Sequence, residues 1–246
     1  MEIGIIGFGN FGKFMAGHLS KVKNVNLVVT DVINKNEEAN KLGIKFVSFE
    51  ELLERKIIIL AVPMENFKET LLKIKDNLLE ESIIIDICSL KMFSCELMEK
   101  ILPNNVKIIG AHPLFGPQSA QNSVNGMKIA LCNVRSKEET FNHIIKFCES
   151  LGLKVIITTP EEHDRQMAIS QALTHFIGQA LFKAGIKRVD QSTKTFDKLM
   201  DIVEIIGNDT PALFNNMQIM NPFAGEVRQK FLNELNKINL ELEEIK

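Results

Sequence analysis

At roughly 150 residues per domain, a chain of 246 residues has room for one large domain or for one with a smaller companion. Its 45% hydrophobic and 24% charged residues exclude a disordered chain, a collagen and a membrane bundle. The longest apolar run, Ile57 to Met64, is eight residues, far below the ~20 of a bilayer span. A formal charge of −2 (29 basic, 31 acidic residues) gives no basic excess to grip a phosphate backbone, so nucleic acid is not an expected partner.

The chain opens on a strand-like segment, Met1 to Ile6. That leaves no room for a signal or transit peptide and predicts a cytoplasmic protein. The cysteines Cys88, Cys95, Cys132 and Cys148 are separated by 6, 36 and 15 residues, which fits no zinc or CxxC pattern. They read as buried thiols without disulfides.

Strand-like runs rich in Ile and Val occur at Ile3–Ile6, Asn26–Thr30, Ile57–Val62, Ser82–Ile87 and Val106–Ile109. Such runs suit strands covered on both faces. Helical periods separate them, at Phe11–Val22, Asn66–Ile74 and Met92–Leu102. Two further strands, Lys128–Leu131 and Lys154–Ile157, flank a helix over Lys137–Ser150 that Gly152 stops. This alternation predicts an α/β domain, a Rossmann-type doubly wound and mostly parallel sheet, over residues 1–159. Beyond it, Glu161–Lys183, Lys194–Ile206, Pro211–Met217 and Pro222–Ile245 carry helical periods without strand signals. Residues 160–246 therefore read as an all-helical domain, too short and too apolar to stand alone. A homodimer formed through these helices is expected.

The first strand runs into Gly7-Phe8-Gly9-Asn10-Phe11-Gly12, and a helix comes next. In that context GxGxxG marks a dinucleotide loop. Gly7 allows the tight turn, Gly9 a close approach of a pyrophosphate, and Gly12 close packing of helix on strand. Asp31 ends the next strand, 19 residues after Gly12. It is placed to accept hydrogen bonds from a ribose diol and to repel a 2′-phosphate, and no Arg stands beside it. The loop predicts NAD rather than NADP.

Three segments are candidates for chemistry. Asp86-Ile87-Cys88-Ser89-Leu90-Lys91 leaves a strand's C-terminal end, where α/β sheets bind ligands; Ser89 and Lys91 there could reach a substrate, although Ser89 could equally cap a helix. Gly110-Ala111-His112-Pro113-Leu114-Phe115-Gly116-Pro117 reads as a stiff loop that pre-organises His112, or as a turn with a structural His. In the third, helical period places Asp164, Ala168, Gln171 and His175 on one face, as a pocket lining or as a polar interface stripe. No ligand spacing supports a metal site from His112, His163 and His175.

Taken together, GFGNFG, DICSLK, HPLFGPQS, EEHDRQMA and SQALTHF resemble, in order and spacing, the prephenate/arogenate dehydrogenase family of tyrosine biosynthesis. The resemblance runs from residue 1 to about 183 and continues more loosely through Asn221-Pro222. It implies a Rossmann domain followed by a helical dimerisation domain, and NAD-dependent oxidative decarboxylation of prephenate or arogenate. His112 corresponds to the family's catalytic His and Ser89 to a second group that contacts the substrate hydroxyl or the nicotinamide side. His175 corresponds to a pocket His, Asp164 to an acid that gates or organises the pocket, and Val62 and Pro63 to the stretch against the cofactor ribose. Prephenate-using members carry an Arg near Asp201–Ile206. This chain has none there and places Glu204 at that position, as the plant arogenate enzymes tend to, which implies attraction for an ammonium. Arg165, Arg228 or a partner subunit could stand in for the missing Arg. Another two-domain Rossmann dehydrogenase would explain the glycine loop but not HPLFGP, and a nucleotide-sensing module without activity would fit the missing Arg.

Overall fold

The computed structural model describes residues 1–118, 120, 123–207 and 210–245. Ser119, the last residue of HPLFGPQS, lies outside them. The chain forms two compact units, Met1–Pro160 and Glu161–Lys246.

In chain order the first unit contains β1 (Glu2–Ile6), α1 (Asn10–Leu19), β2 (Asn26–Thr30), α2 (Asn36–Lys41), β3 (Lys45–Phe46), α3 (Phe49–Leu53) and β4 (Ile57–Leu60). It continues with α4 (Met64–Ile74), β5 (Ile83–Asp86), α5 (Lys91–Ile101), β6 (Lys107–Pro113), β7 (Lys128–Arg135), α6 (Glu138–Ser150) and β8 (Lys154–Ile157). The sheet order is β3-β2-β1-β4-β5-β6-β7-β8. Every neighbouring pair is parallel except β6 with β7.

Alternation along the strands builds two cores. Ile3, Ile5, Val29, Ile59, Ile109 and Leu131 face Ala16 and Leu19 of α1 and Phe141 and Ile144 of α6. Ile6, Val28, Ile58, Leu60, Ile84 and Ile108 face Leu52 of α3, Phe67 and Leu71 of α4, and Met98 of α5. Burial on both faces is why these strands read as unbroken apolar runs. Outward winding in both directions from β1 and β4 leaves a crevice at their C-terminal ends, where such sheets bind ligands.

Two sequence expectations shift. The elements α2, β3 and α3 have no counterpart in the sequence pattern, because stretches of six, two and five residues carry too little periodicity. The segment expected to be a stiff loop around His112 is instead strand: β6 runs to Pro113, and His112 lies opposite Ala130 of β7. The antiparallel partner that extends β6 is a long-range contact, which local pattern does not reveal.

The second unit consists of α7 (Pro160–Met167, opening on the last residue of the first unit), a π turn (Ala168–Ala172), α8 (Leu173–Lys183), α9 (Lys194–Gly207), α10 (Pro211–Ile219) and α11 (Ala224–Glu244). The α8 and α9 helices cross closely at Gly178, where a Cβ would stand 2.3 Å from Ile206 Cδ1. Among the described residues, no helix is long and apolar enough to cross a membrane.

Candidate active site

The glycine loop meets its steric demands residue by residue. Gly7 has φ +100°, and a Cβ there would lie 2.3 Å from the Ala61 carbonyl oxygen. A Cβ on Gly12 would lie 2.1 Å from the Gly7 carbonyl oxygen. Gly9 is different: a Cβ on it would meet nothing within 4 Å, so its face of the loop is open. Gly9 is also the N-cap of α1, and no side chain caps that helix. The first-turn N–H groups, with the positive end of the helix dipole, are left for an anion. Asn10 is exposed and Phe11 half-buried. Phe8 is fully buried in the core and serves the loop through its backbone.

Asp31 closes this loop onto β2. Its Oδ2 accepts the Phe8 N–H at 2.6 Å, and its Oδ1 accepts the Ile33 N–H at 3.0 Å. Lys35, which no motif marks, reaches Asp31 Oδ2 at 3.1 Å and the Phe8 carbonyl at 3.0 Å. No Arg stands beside the acid, but a lysine ammonium does. Burial raises the Asp31 pKa, yet the two amide hydrogen bonds and Lys35 outweigh it and hold the carboxyl below its usual value. Val32 and Ile33, next in the chain, are exposed. An open Gly9 face, an uncapped helix and an acid beside exposed apolar residues fit a dinucleotide, with its pyrophosphate at Gly9 and a ribose at Asp31. Val62 lies against the loop, its Cγ1 3.2 Å from where a Gly7 Cβ would stand. Pro63 is exposed at the N-cap of α4.

Further along the same sheet edge are the two chemistry segments. β5 and β6 are neighbours, with Asp86 opposite Gly110, so Ser89, three residues beyond the end of β5, and His112, the last residue but one of β6, lie at adjacent strand ends. Ser89 is half-buried and is not the cap of α5; Leu90 holds that position, which leaves the hydroxyl for another partner. His112 is 7% exposed. Lys91 departs from expectation. It is fully buried, and its ammonium is held by Asp86 and, at 2.6 Å, by the Ala111 carbonyl. It is not available to a substrate, because α5 begins at this residue and turns its stem into the core.

In the second unit, Asp164 is buried and its Oδ1 pairs with His163 Nδ1 at 2.7 Å. Asn221 donates to the Asp164 carbonyl at 2.8 Å, tying the start of α11 to α7. The π turn contains one residue more per turn than an α-helix and so rotates α8 about its axis. The buried line is therefore Asp164, Ala168 and Ala172, and Gln171 and His175, both half-buried, do not continue it as the regular helical period implied. Glu204 is exposed and bonded to Arg188 Nε at 2.6 Å; the same guanidinium reaches Asp201 at 2.6 Å and Asp197 at 3.8 Å. Arg188 lies 16 residues from Glu204, across a loop whose course no local signal gives. Arg165 pairs with Glu161 and stacks on Phe223, and Arg228 donates to Gln218 Oε1. Among the described residues no group of three His, Cys, Asp or Glu side chains is placed to hold a metal ion.

Fold and loop together define a nucleotide-binding dehydrogenase domain joined to a helical unit. Residues 15–173 match the family model for the prephenate dehydrogenase nucleotide-binding domain, and residues 180–245 match that of a TYRAAT1-like C-terminal domain. The chain belongs to the prephenate dehydrogenase family. It is 28% identical over its whole length to arogenate dehydrogenase 2, chloroplastic, of Arabidopsis thaliana, of which it spans 69%. It is 29% identical over 97% of its length to a probable arogenate/prephenate dehydrogenase of Methanocaldococcus jannaschii, of which it spans 56%. In fold it is similar to a prephenate dehydrogenase from A. aeolicus solved with hydroxyphenyl propionate and NAD+ (TM-score 0.79, 22% identity, 99% of this chain and 92% of that one).

Proposed function

We propose that this chain catalyses the NAD-linked oxidative decarboxylation of prephenate or arogenate, releasing CO₂ and giving 4-hydroxyphenylpyruvate or tyrosine. The observation that carries the proposal is the placing of Ser89 and His112 at adjacent strand ends, on the sheet edge that holds the glycine loop. When bound, the nicotinamide supplies an acceptor for the two electrons that leave the hydroxyl-bearing ring carbon. His112 accepts the proton of that hydroxyl as the carbon becomes a ketone. The Ser89 hydroxyl orients the same oxygen. Loss of the ring carboxylate then makes the ring aromatic, which drives the step. The resemblance adds His175, Gln171 and Asp164 of the second unit as substrate-pocket residues; Asp164 is held by His163.

Arogenate is the preferred substrate in this reading. Glu204 belongs to a cluster in which one guanidinium faces three carboxylates, so the patch stays negative. An ammonium is attracted to it and a pyruvyl carboxylate repelled.

The test is steady-state kinetics with both substrates and with NAD and NADP. NADH formation from arogenate at a kcat/KM about tenfold or more above that for prephenate supports the proposal; no turnover of either substrate defeats it. His112→Asn is expected to lower kcat by about 10²–10⁴-fold while NAD affinity is nearly unchanged. Turnover within a factor of a few of the parent would make His112 structural.

A further inference from the structure

Lys91 and Asp86 form an ion pair with both side chains fully shielded from water. The pair is anchored at three points. The ammonium donates to Asp86 Oδ2 and to the Ala111 carbonyl at 2.6 Å, and Asp86 Oδ2 also accepts the Cys88 N–H at 3.0 Å. Asp86 Oδ1 is buried without a hydrogen bond in the structure, so the bonds that hold this carboxylate fall on Oδ2. Burial disfavours a charged lysine, but Asp86 outweighs it and the Lys91 pKa is raised. Gly110, directly opposite Asp86, makes room for the lysine stem. A Cβ there would stand 2.5 Å from Cys95 Sγ and 3.4 Å from Lys91 Cδ.

The anchored atoms adjoin the two candidate catalytic groups. Cys88 precedes Ser89, and Ala111 precedes His112. One rigid bridge thus fixes the turn that carries Ser89 against the strand end that carries His112. Stability alone does not account for it, because well-packed apolar residues often replace a buried ion pair at no loss. The neighbours Cys95, Met98, Ile84 and Ile108 already form such a core. Proton transfer is more demanding, since a displacement of about 1 Å costs roughly 10²-fold in rate.

We propose that Asp86 and Lys91 are positioning residues that set the distance between the Ser89 hydroxyl and the His112 imidazole. This rests on the dehydrogenase reading above, and the parent protein's own turnover tests that reading first. The pair is then removed as a unit in Asp86→Leu/Lys91→Met and loosened in Asp86→Asn. Measured for each are Tm, NAD+ affinity by titration, kcat, KM, and the His112 imidazole NMR signals, assigned with His112→Asn. Lys91→Met alone is expected to lower Tm, and the double variant to recover it. In the double variant kcat should stay down by about 10- to 100-fold with KM and NAD+ affinity little changed, and the His112 signals should move. Asp86→Asn, which keeps the side-chain shape, should show the same kcat loss and signal shift in smaller degree, and serves if the double variant does not fold. Unmoved His112 signals, or kcat within twofold of the parent in the variants that fold, would make the pair a core element only. The NMR arm reads the same whether or not either ring substrate is turned over.

Discussion

Asp31 receives the Phe8 and Ile33 amides and the Lys35 ammonium, and through Phe8 it pins the glycine loop to β2. In the proposed reading the same carboxylate also accepts a ribose diol. NAD should therefore exceed NADP in kcat/KM by roughly tenfold or more, and Asp31→Ala should narrow that gap. Part of the narrowing should come from Lys35, freed to meet a 2′-phosphate, so adding Lys35→Ala should remove NADP use again. Equal kcat/KM for the two cofactors in the parent would end the argument. The depressed pKa has a pH consequence with a definite sign. A carboxyl held lower in the folded protein than in the unfolded chain stabilises the fold above the ordinary value of about 3.9, and that contribution is lost as pH falls through the lower folded value. Acid unfolding of the parent and of Asp31→Asn should thus diverge above pH 4 and converge below it. Asp31 and His112 are legible as single residues because a motif places them. Lys35 is marked by no motif, although it stands only four residues after Asp31, within reach of an i,i+4 pair. Arg188 is not, since only the folded loop brings it to Glu204.

Among the elements, the β1–α1 connection separates folding from binding at single-atom resolution. Gly7→Ala and Gly12→Ala would each press a methyl group into a backbone carbonyl. Both should destabilise the protein by about 1–3 kcal/mol, visible in Tm without any ligand. Gly9→Ala meets no neighbour, so Tm should hold within the roughly 0.5 kcal/mol typical of surface changes. If the pyrophosphate rests on Gly9, the dinucleotide Kd should nevertheless rise about tenfold or more; unchanged affinity in Gly9→Ala would show that the phosphates lie elsewhere. The long elements of the sheet are legible because their burial on two faces, or the 3.6-residue period of their helices, is written locally. The short α2, β3 and α3, and the extension of β6 through His112, are not. The β6 extension depends on β7, distant in sequence, and the three short elements carry too few residues for a period, although Ser48 caps α3 locally by accepting the Glu51 N–H.

For the whole molecule, the second unit poses the question of how its apolar surface is covered. Among the described residues, its buried apolar side chains are a cluster of three alanines, Ala168, Ala172 and Ala224, together with Met200, Val203, Ile206 and Met217. Leu235, Ile238, Leu242 and Ile245, near the end of α11, are 45–81% exposed. Their spacing of three, four and three residues is that of a coiled-coil seam. Large exposed apolar stripes mark association sites, so a C2 homodimer formed through these helices is expected. Light scattering at micromolar concentration should give twice the chain mass, and Leu235→Glu/Ile238→Glu should shift it toward one. A single-chain mass for the parent would contradict this.

The sequence alone determined the doubly wound sheet, the dinucleotide loop, the family resemblance and the His112 and Ser89 candidates. Each is encoded by residues close together in the chain: a glycine spacing, a run of Ile and Val, a short motif after a strand. Tertiary structure decided how the charged groups are used. Glu204, on the surface, is shared with Arg188; Lys91, which reads as a substrate contact, is sealed in the core on Asp86, and Asp164 is sealed on His163. A charge cannot be buried without a partner except at high cost, and the partner's position is set by packing, which one-dimensional pattern does not contain.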